Sequence, residues 1–141
     1  ESAPRVVNTL FVDTFYWIAR IDTHDQWHQR AKEISDSLTD ARLVTTEAVL
    51  IELLNYFSAH GPEMRQAAAH IVRHILDNRH IEVLPQAPES LLTGLELFEA
   101  RPDKGYSLTD CISMQAMRAR GLTDVLTHDR LFAQEGFIIL L

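Results

Sequence analysis

The chain has 141 residues, a formal net charge of −7 and a single cysteine. That length makes one domain, long enough to bury a core without staples. The lone Cys111 excludes an internal disulfide and a cysteine-based zinc site, and the acidic balance argues against binding nucleic acid by bulk electrostatics. Hydrophobic residues at 46% and charged residues at 23% are ordinary for a soluble domain. No apolar run nears the ~20 residues of a membrane span, and a reducing cytoplasm is the simplest home. Eleven of the thirteen cations are Arg; Arg forks suit phosphate, but the base composition of a genome explains the bias at least as well. Residues Glu1–Arg5 lack the basic leader and apolar core of a signal peptide. They read as an N-terminal extension or a cloning remnant, with the domain proper over 6–141.

In chain order, Leu10-Phe-Val12 reads as a short buried strand that empties into Asp13-Thr14. Thr14–Ile21 suits a short helix with Phe15, Trp17, Ile18 and Ile21 apolar. Asp22-Thr23 breaks it and caps a second helix from about His24 to Leu38. Leu43-Val44 is a strand, followed by Thr45 and Thr46 as N-caps. The next helix, about Glu47 to Ala59, carries Val49, Leu50, Leu53, Leu54 and Phe57 at helical spacing. Gly61-Pro62 stops it and starts another, about Glu63 to Asn78. His80–Leu84 alternates like a strand, closed by Pro85, and a helix runs from about Pro88 to Ala100. After a polar loop, Ser107–Arg120 is helical and ends at Gly121. Asp124–Thr127 is a strand that empties into His128-Asp129, and Phe137–Leu141 is the last strand. Strands alternating with helices make an α/β domain with a mainly parallel sheet.

In such a sheet, ligands bind outside the carboxyl ends of the strands, where strand order reverses. Four acids can reach that edge, and each has an ordinary structural alternative. Asp13 and Asp129 end strands, and either can cap the helix that follows. Asp110 sits three residues after Ser107, the pattern of a capping box. Glu52 interrupts the most apolar stretch of the chain, Val49-Leu-Ile-Glu52-Leu-Leu, where a buried carboxylate must be paired or bind metal. Glu47, in a first helical turn, reads as structural. Carboxylates crowded together raise one another's pKa unless a cation neutralises them. Hard oxygen ligands without Cys point to Mg²⁺ or Mn²⁺, which can activate water and clamp a phosphodiester.

Phe11-Val-Asp13-Thr14, Val49-Leu-Ile-Glu52-Leu-Leu-Asn55, Leu108-Thr-Asp110-Cys and Leu126-Thr-His-Asp129-Arg-Leu-Phe132 together resemble the PIN domain, and most of all its VapC-type toxins of toxin–antitoxin pairs. Asp22-x-x-Asp25-x-x-His28-x-x-Ala31 and Gly136-Phe-Ile-Ile-Leu resemble that group's early loop–helix and last strand. The resemblance implies a parallel sheet of order 3-2-1-4-5 between helices. It implies an endoribonuclease that cleaves RNA through metal-activated water. Asp13 and Asp110 then hold Mg²⁺ or Mn²⁺, Glu52 and Asp129 complete the acidic catalytic site, and Thr14 and Thr127 are hydroxyl auxiliaries. A homodimer and a cognate antitoxin are further implications. The alternative is a catalytically inactive PIN-like module that binds RNA or protein.

Other signals carry less. A metal-dependent phosphatase lacks its second Asp, because Phe15 stands two residues after Asp13. The pairs His24/His28 and His70/His74 have i,i+4 spacing but no third ligand, and read as solvated. His128 reads as a neutral loop residue. Trp17 and Trp27 read as core or interface. RNA contact is expected from Arg20, Arg101, Arg118 or Arg130. The helices from Phe15 to Trp27 and Glu47 to Phe57 suit a dimer or antitoxin contact, with Trp17 and Phe57 as its probes.

Overall fold

The structure, a computed structural model, describes residues 9–141; the extension expected at 1–5 and the first residues of the domain lie outside the described residues. Five strands, β1 (Thr9–Val12), β2 (Arg42–Thr46), β3 (Ile81–Leu84), β4 (Asp124–Leu126) and β5 (Ile138–Ile139), alternate with seven helices among the described residues. The helices are α1 (Thr14–Ile21), α2 (His28–Ser37), α3 (Glu47–Phe57), α4 (Pro62–Asp77), α5 (Pro88–Ala100), α6 (Leu108–Ala119) and α7 (Leu131–Gln134). All strands pair in parallel in the order β3-β2-β1-β4-β5, the order that the resemblance implies. Strand order reverses at β1, which pairs with β2 on one side and β4 on the other, so the carboxyl ends of β1 and β4 open on the switch point.

Leu10, Phe11 and Val12 of β1 are fully buried, as expected of a central strand covered on both faces. One cluster of apolar side chains gathers Phe11, Leu53, Phe57, Met114, Met117 and Phe132 around the sheet. Helices α5 and α6 approach closely because Gly94 has no side chain: a Cβ there would stand 2.5 Å from Cγ1 of Ile112. No helix among the described residues is long and apolar enough to cross a membrane.

Several boundaries differ from the sequence reading. Helix α2 starts at His28, four residues late, because Asp22 and Asp25 make local turns instead. Asp22 Oδ1 accepts from the His24 N–H at 2.9 Å, and Asp25 Oδ1 from the Trp27 N–H at 2.8 Å; such Asx bonds compete with the helix. Of the two threonines read as caps, Thr46 accepts from the Val49 N–H, whereas Thr45 donates to the Val12 carbonyl at 2.9 Å and ties β2 to the end of β1. Strand β5 has two residues rather than five, since its partner β4 has only three. Trp17 and Phe57 are buried in the core, not on a contact face. On α3 the inner stripe is Val49, Leu50, Leu53 and Phe57, which leaves Ile51, Leu54 and Tyr56 exposed, along with Phe15 of α1.

Candidate metal centre

Asp13 follows β1 and holds the N-cap position of α1, yet its side chain makes no capping bond. The carboxylate is buried. Oδ2 accepts from the Thr127 hydroxyl at 2.9 Å, and Oδ1 has no hydrogen-bond partner. Burial first, and the Asp110 charge second, push its pKa up to about 7; the Thr127 hydroxyl and the Thr14 N–H oppose this without cancelling it. An orphaned carboxylate oxygen in a dry site costs free energy that a cation would recover. The capping alternative for Asp13 therefore finds no side-chain bond to carry it.

For Asp110 the capping reading holds, and the side chain is also buried at the cleft. The Ser107 N–H donates to Asp110 Oδ2 at 2.9 Å and the Asp110 N–H to Ser107 Oγ at 3.0 Å, a capping box with Asp as its acid. The same side chain is 8% exposed, and its pKa is raised by burial, with the Asp129 and Glu52 charges adding to it. Asp129 likewise serves twice: Oδ1 accepts from the Leu131 N–H at 3.0 Å ahead of α7, and its own N–H donates to Thr127 Oγ1 at 3.0 Å. Thr127 thus joins two of the acids through one hydroxyl. Glu52 is half-buried rather than enclosed, and Oε1 accepts the Thr14 hydroxyl.

Glu52, Asp110 and Asp129 line a cleft of about 550 Å³ with Thr14 and Ser107; the rest of its wall is Phe15, Ile18, Asn55 and Tyr56. Asp13 lies buried outside that lining. Among the described residues, no three acidic, imidazole or thiol groups are already drawn together as a ligand cluster. Two observations nevertheless fit a divalent cation: the orphaned Oδ1 of Asp13, and the neighbouring carboxylate charges that add to burial in raising the pKa of Asp13 (Asp110 and Glu52) and of Asp110 (Asp129 and Glu52). Uncompensated carboxylates repel, and a hard cation is what would draw them in.

The sequence reading did not place Phe15, Ile18, Asn55, Tyr56 or Ser107 in this cleft. The signal available was the spacing Glu52, Asn55, Tyr56, which puts all three on one helix face. His128 is held between rings, stacked on Trp27 at 4.7 Å and 10° and tilted against Phe15 at 4.7 Å; burial lowers its pKa, in keeping with a neutral imidazole. His28 is not merely solvated, because its Nδ1 pairs with the Ala19 carbonyl at 2.6 Å. The expected Arg face needs correction too. Arg101 and Arg118 both bind Glu135, at 3.0 and 2.8 Å, and Arg20 lends its guanidinium to the Tyr16 hydroxyl at 3.3 Å. Arg130, beside Asp129, is exposed.

The chain is similar in structure to VapC20 of Mycobacterium tuberculosis, a sarcin-ricin loop cleaving toxin, with 25% identity and a TM-score of 0.81 over 92% of this chain and 96% of that one. It shares its fold with a chain of Rickettsia felis VapBC2 bound to a promoter DNA fragment, at 14% identity and a TM-score of 0.64 over 94% and 97% of the two chains. The same holds for a chain of DNA-bound VapBC from Salmonella typhimurium, at 17% identity and a TM-score of 0.62 over 96% and 98%. No curated protein sequence matches the chain. The family model of the PIN domain matches residues 10–137, nearly all of the chain and every acid of the cleft, and the protein belongs to the PIN domain family.

Proposed function

We propose that this protein is a metal-dependent endoribonuclease that hydrolyses RNA phosphodiester bonds, and the toxin of a toxin–antitoxin pair. The observation that carries the reading is the buried Asp13 carboxylate, with one oxygen orphaned and its pKa pushed up to about 7 beside Asp110. Asp13 and Asp110 would hold Mg²⁺ or Mn²⁺, with Glu52 and Asp129 completing the set. Such an ion supplies activation of water and neutralisation of charge on the phosphate. The chain's own part is positional: Thr127 orients Asp13, Thr14 orients Glu52, and the Ser107 box fixes Asp110 at the start of α6. Likeness to a toxin that cleaves the sarcin-ricin loop supports an RNA substrate. Likeness to chains of VapBC2 and VapBC supports a partner antitoxin. A homodimer and a cytoplasmic site of action belong to the same reading.

Cleavage of total cellular RNA with Mn²⁺, with EDTA and with Asp110→Asn tests it. Discrete fragments that require metal and vanish in the variant are expected. Silence from folded, antitoxin-free protein would favour the alternative, a PIN-like binding module, which the ungathered acids would also suit. Cleavage that survives EDTA and the substitution would overturn the four-acid site.

A further inference from the structure

A second cavity, of about 230 Å³, shares no residue with the acid cleft. Helix α1 separates the two. Thr14 and Ile18 lie toward the acids, and the helical repeat brings Tyr16, Trp17 and Arg20 round to the other side. Leu43 of β2, Ile81 of β3, and Ile71 and Ile75 of α4 give this cavity an apolar wall. Its polar lining is Tyr16, Trp17, Arg20, Ser35, His74 and Asn78, with no Asp or Glu among them. The acid cleft is the reverse, with three carboxylates and no Lys or Arg.

Donors in this lining lack acceptors. The buried Trp17 indole N–H has no hydrogen-bond partner. The Arg20 guanidinium gives a hydrogen bond to the Tyr16 hydroxyl at 3.3 Å, and forms no ion pair among the described residues. Because it accepts from Arg20, the Tyr16 hydroxyl keeps its own proton to donate. A half-buried guanidinium without an acid and a buried N–H without an acceptor both gain from an anion. Carboxylates suit Arg best, through two parallel bonds. We infer that this cavity binds a small organic monocarboxylate: its charged end pairs with Arg20 beside Tyr16 and Trp17, and its apolar body lies against Ile71, Ile75 and Ile81. Volume sets the size. Pockets for drug-sized ligands begin at about 300 Å³, so this one takes a single ring or a short chain. Screening over about 8 Å at physiological salt keeps the overall charge of −7 from repelling such a ligand. The site needs neither metal nor RNA, and stands apart from the nuclease reading.

The test is titration of the nitrogen-15-labelled protein with benzoate, in EDTA, followed at the indole N–H signals. Two tryptophans give two such signals, and Trp17→Phe assigns them. A saturable shift of the Trp17 signal is expected, with the Trp27 signal unmoved. Benzamide has the same shape without the charge and should bind about tenfold more weakly or worse. Arg20→Gln removes the cation, and Ser35→Glu sets an acid in the cavity wall; each should weaken benzoate binding by about the same factor. Should Arg20→Gln fail to fold, Ser35→Glu on the helix surface carries the comparison alone. A Trp17 signal that stays put or moves without saturating would overturn the site. Benzamide binding as tightly as benzoate, or a folded variant with the parent's affinity, would overturn the anion.

Discussion

The Thr127 hydroxyl donates to Oδ2 of Asp13 at 2.9 Å across 114 positions of sequence, and Thr127 Oγ1 also accepts the Asp129 N–H at 3.0 Å. One side chain therefore sets the orientation of the buried acid at the end of β1 and the backbone of the acid beyond β4. Thr127→Val keeps the shape and removes both bonds. Partners of metal ligands typically matter by about 10–100-fold in affinity. Titration of Mn²⁺ by calorimetry should show a loss of that size, with an unchanged far-ultraviolet circular dichroism spectrum. Equal affinity in the two proteins would remove Thr127 from the site.

Asp13 makes the metal-free protein sensitive to pH in a definite direction. Its pKa rises from 3.8 to about 7 on folding, so between those values the folded state keeps a proton that the unfolded state has lost. Stability then falls as pH rises through that window, and the penalty is complete above it. The raised pKa of Asp110 acts in the same sense. Asp13→Asn removes the larger contribution and should stabilise the metal-free protein at pH 8 by up to about 4 kcal/mol. Thermal melts in EDTA from pH 5 to 8 should slope downward for the parent and stay flatter for the variant. A metal ion should flatten the parent's slope as well.

His128 fills the space between Phe15 and Trp27 and so pins the loop that carries Thr127 and Asp129. Ring pairs contribute about 0.5–1.5 kcal/mol each. His128→Ala should lose both and lower the melting temperature, whereas His128→Phe should recover most of the loss. Burial holds the imidazole neutral, so the pH profile of RNA cleavage should be the same with Phe at this position. A shifted profile would instead identify His128 as a proton carrier.

Glu135 gathers three donors around one carboxylate. Arg101, Arg118 and the Tyr106 hydroxyl all bind its carboxylate, whose side chain is only 5% exposed. Burial would raise the pKa, but these three bonds more than reverse it, down to about 2. The clasp ties the loop ahead of Ser107 and Asp110 to the turn between α7 and β5. Its stabilisation is present above pH 4.5 and fades as pH falls toward 2. Glu135→Ala leaves two guanidinium groups and a buried phenol without their partner, and should cost about 2–3 kcal/mol in urea unfolding at pH 7.

Much of this molecule was legible from neighbouring residues. Leu10-Phe-Val12 and Asp124–Thr127 read as strands because each is a short apolar run bounded by polar residues, too short for a buried helix. The Ser107–Asp110 box and the Thr46 cap were visible because they span three residues of one helix start. The late start of α2 was not, since Asp22 and Asp25 can serve a helix or a turn equally well and the choice lies in packing.

Pairings across the sequence were beyond reach. Thr14 with Glu52, Thr127 with Asp13 and Glu135 with two arginines are contacts that the sheet order and the helix packing create. The sequence by itself determined the alternation of strands and helices and the acids at the strand ends, through hydrophobic periodicity and local capping. Which acid sits dry with an unpaired oxygen, which arginines are already taken and which rings face the cleft were decided by tertiary structure alone, because burial and distance set a group's electrostatics and neither is a property of its neighbours in the chain.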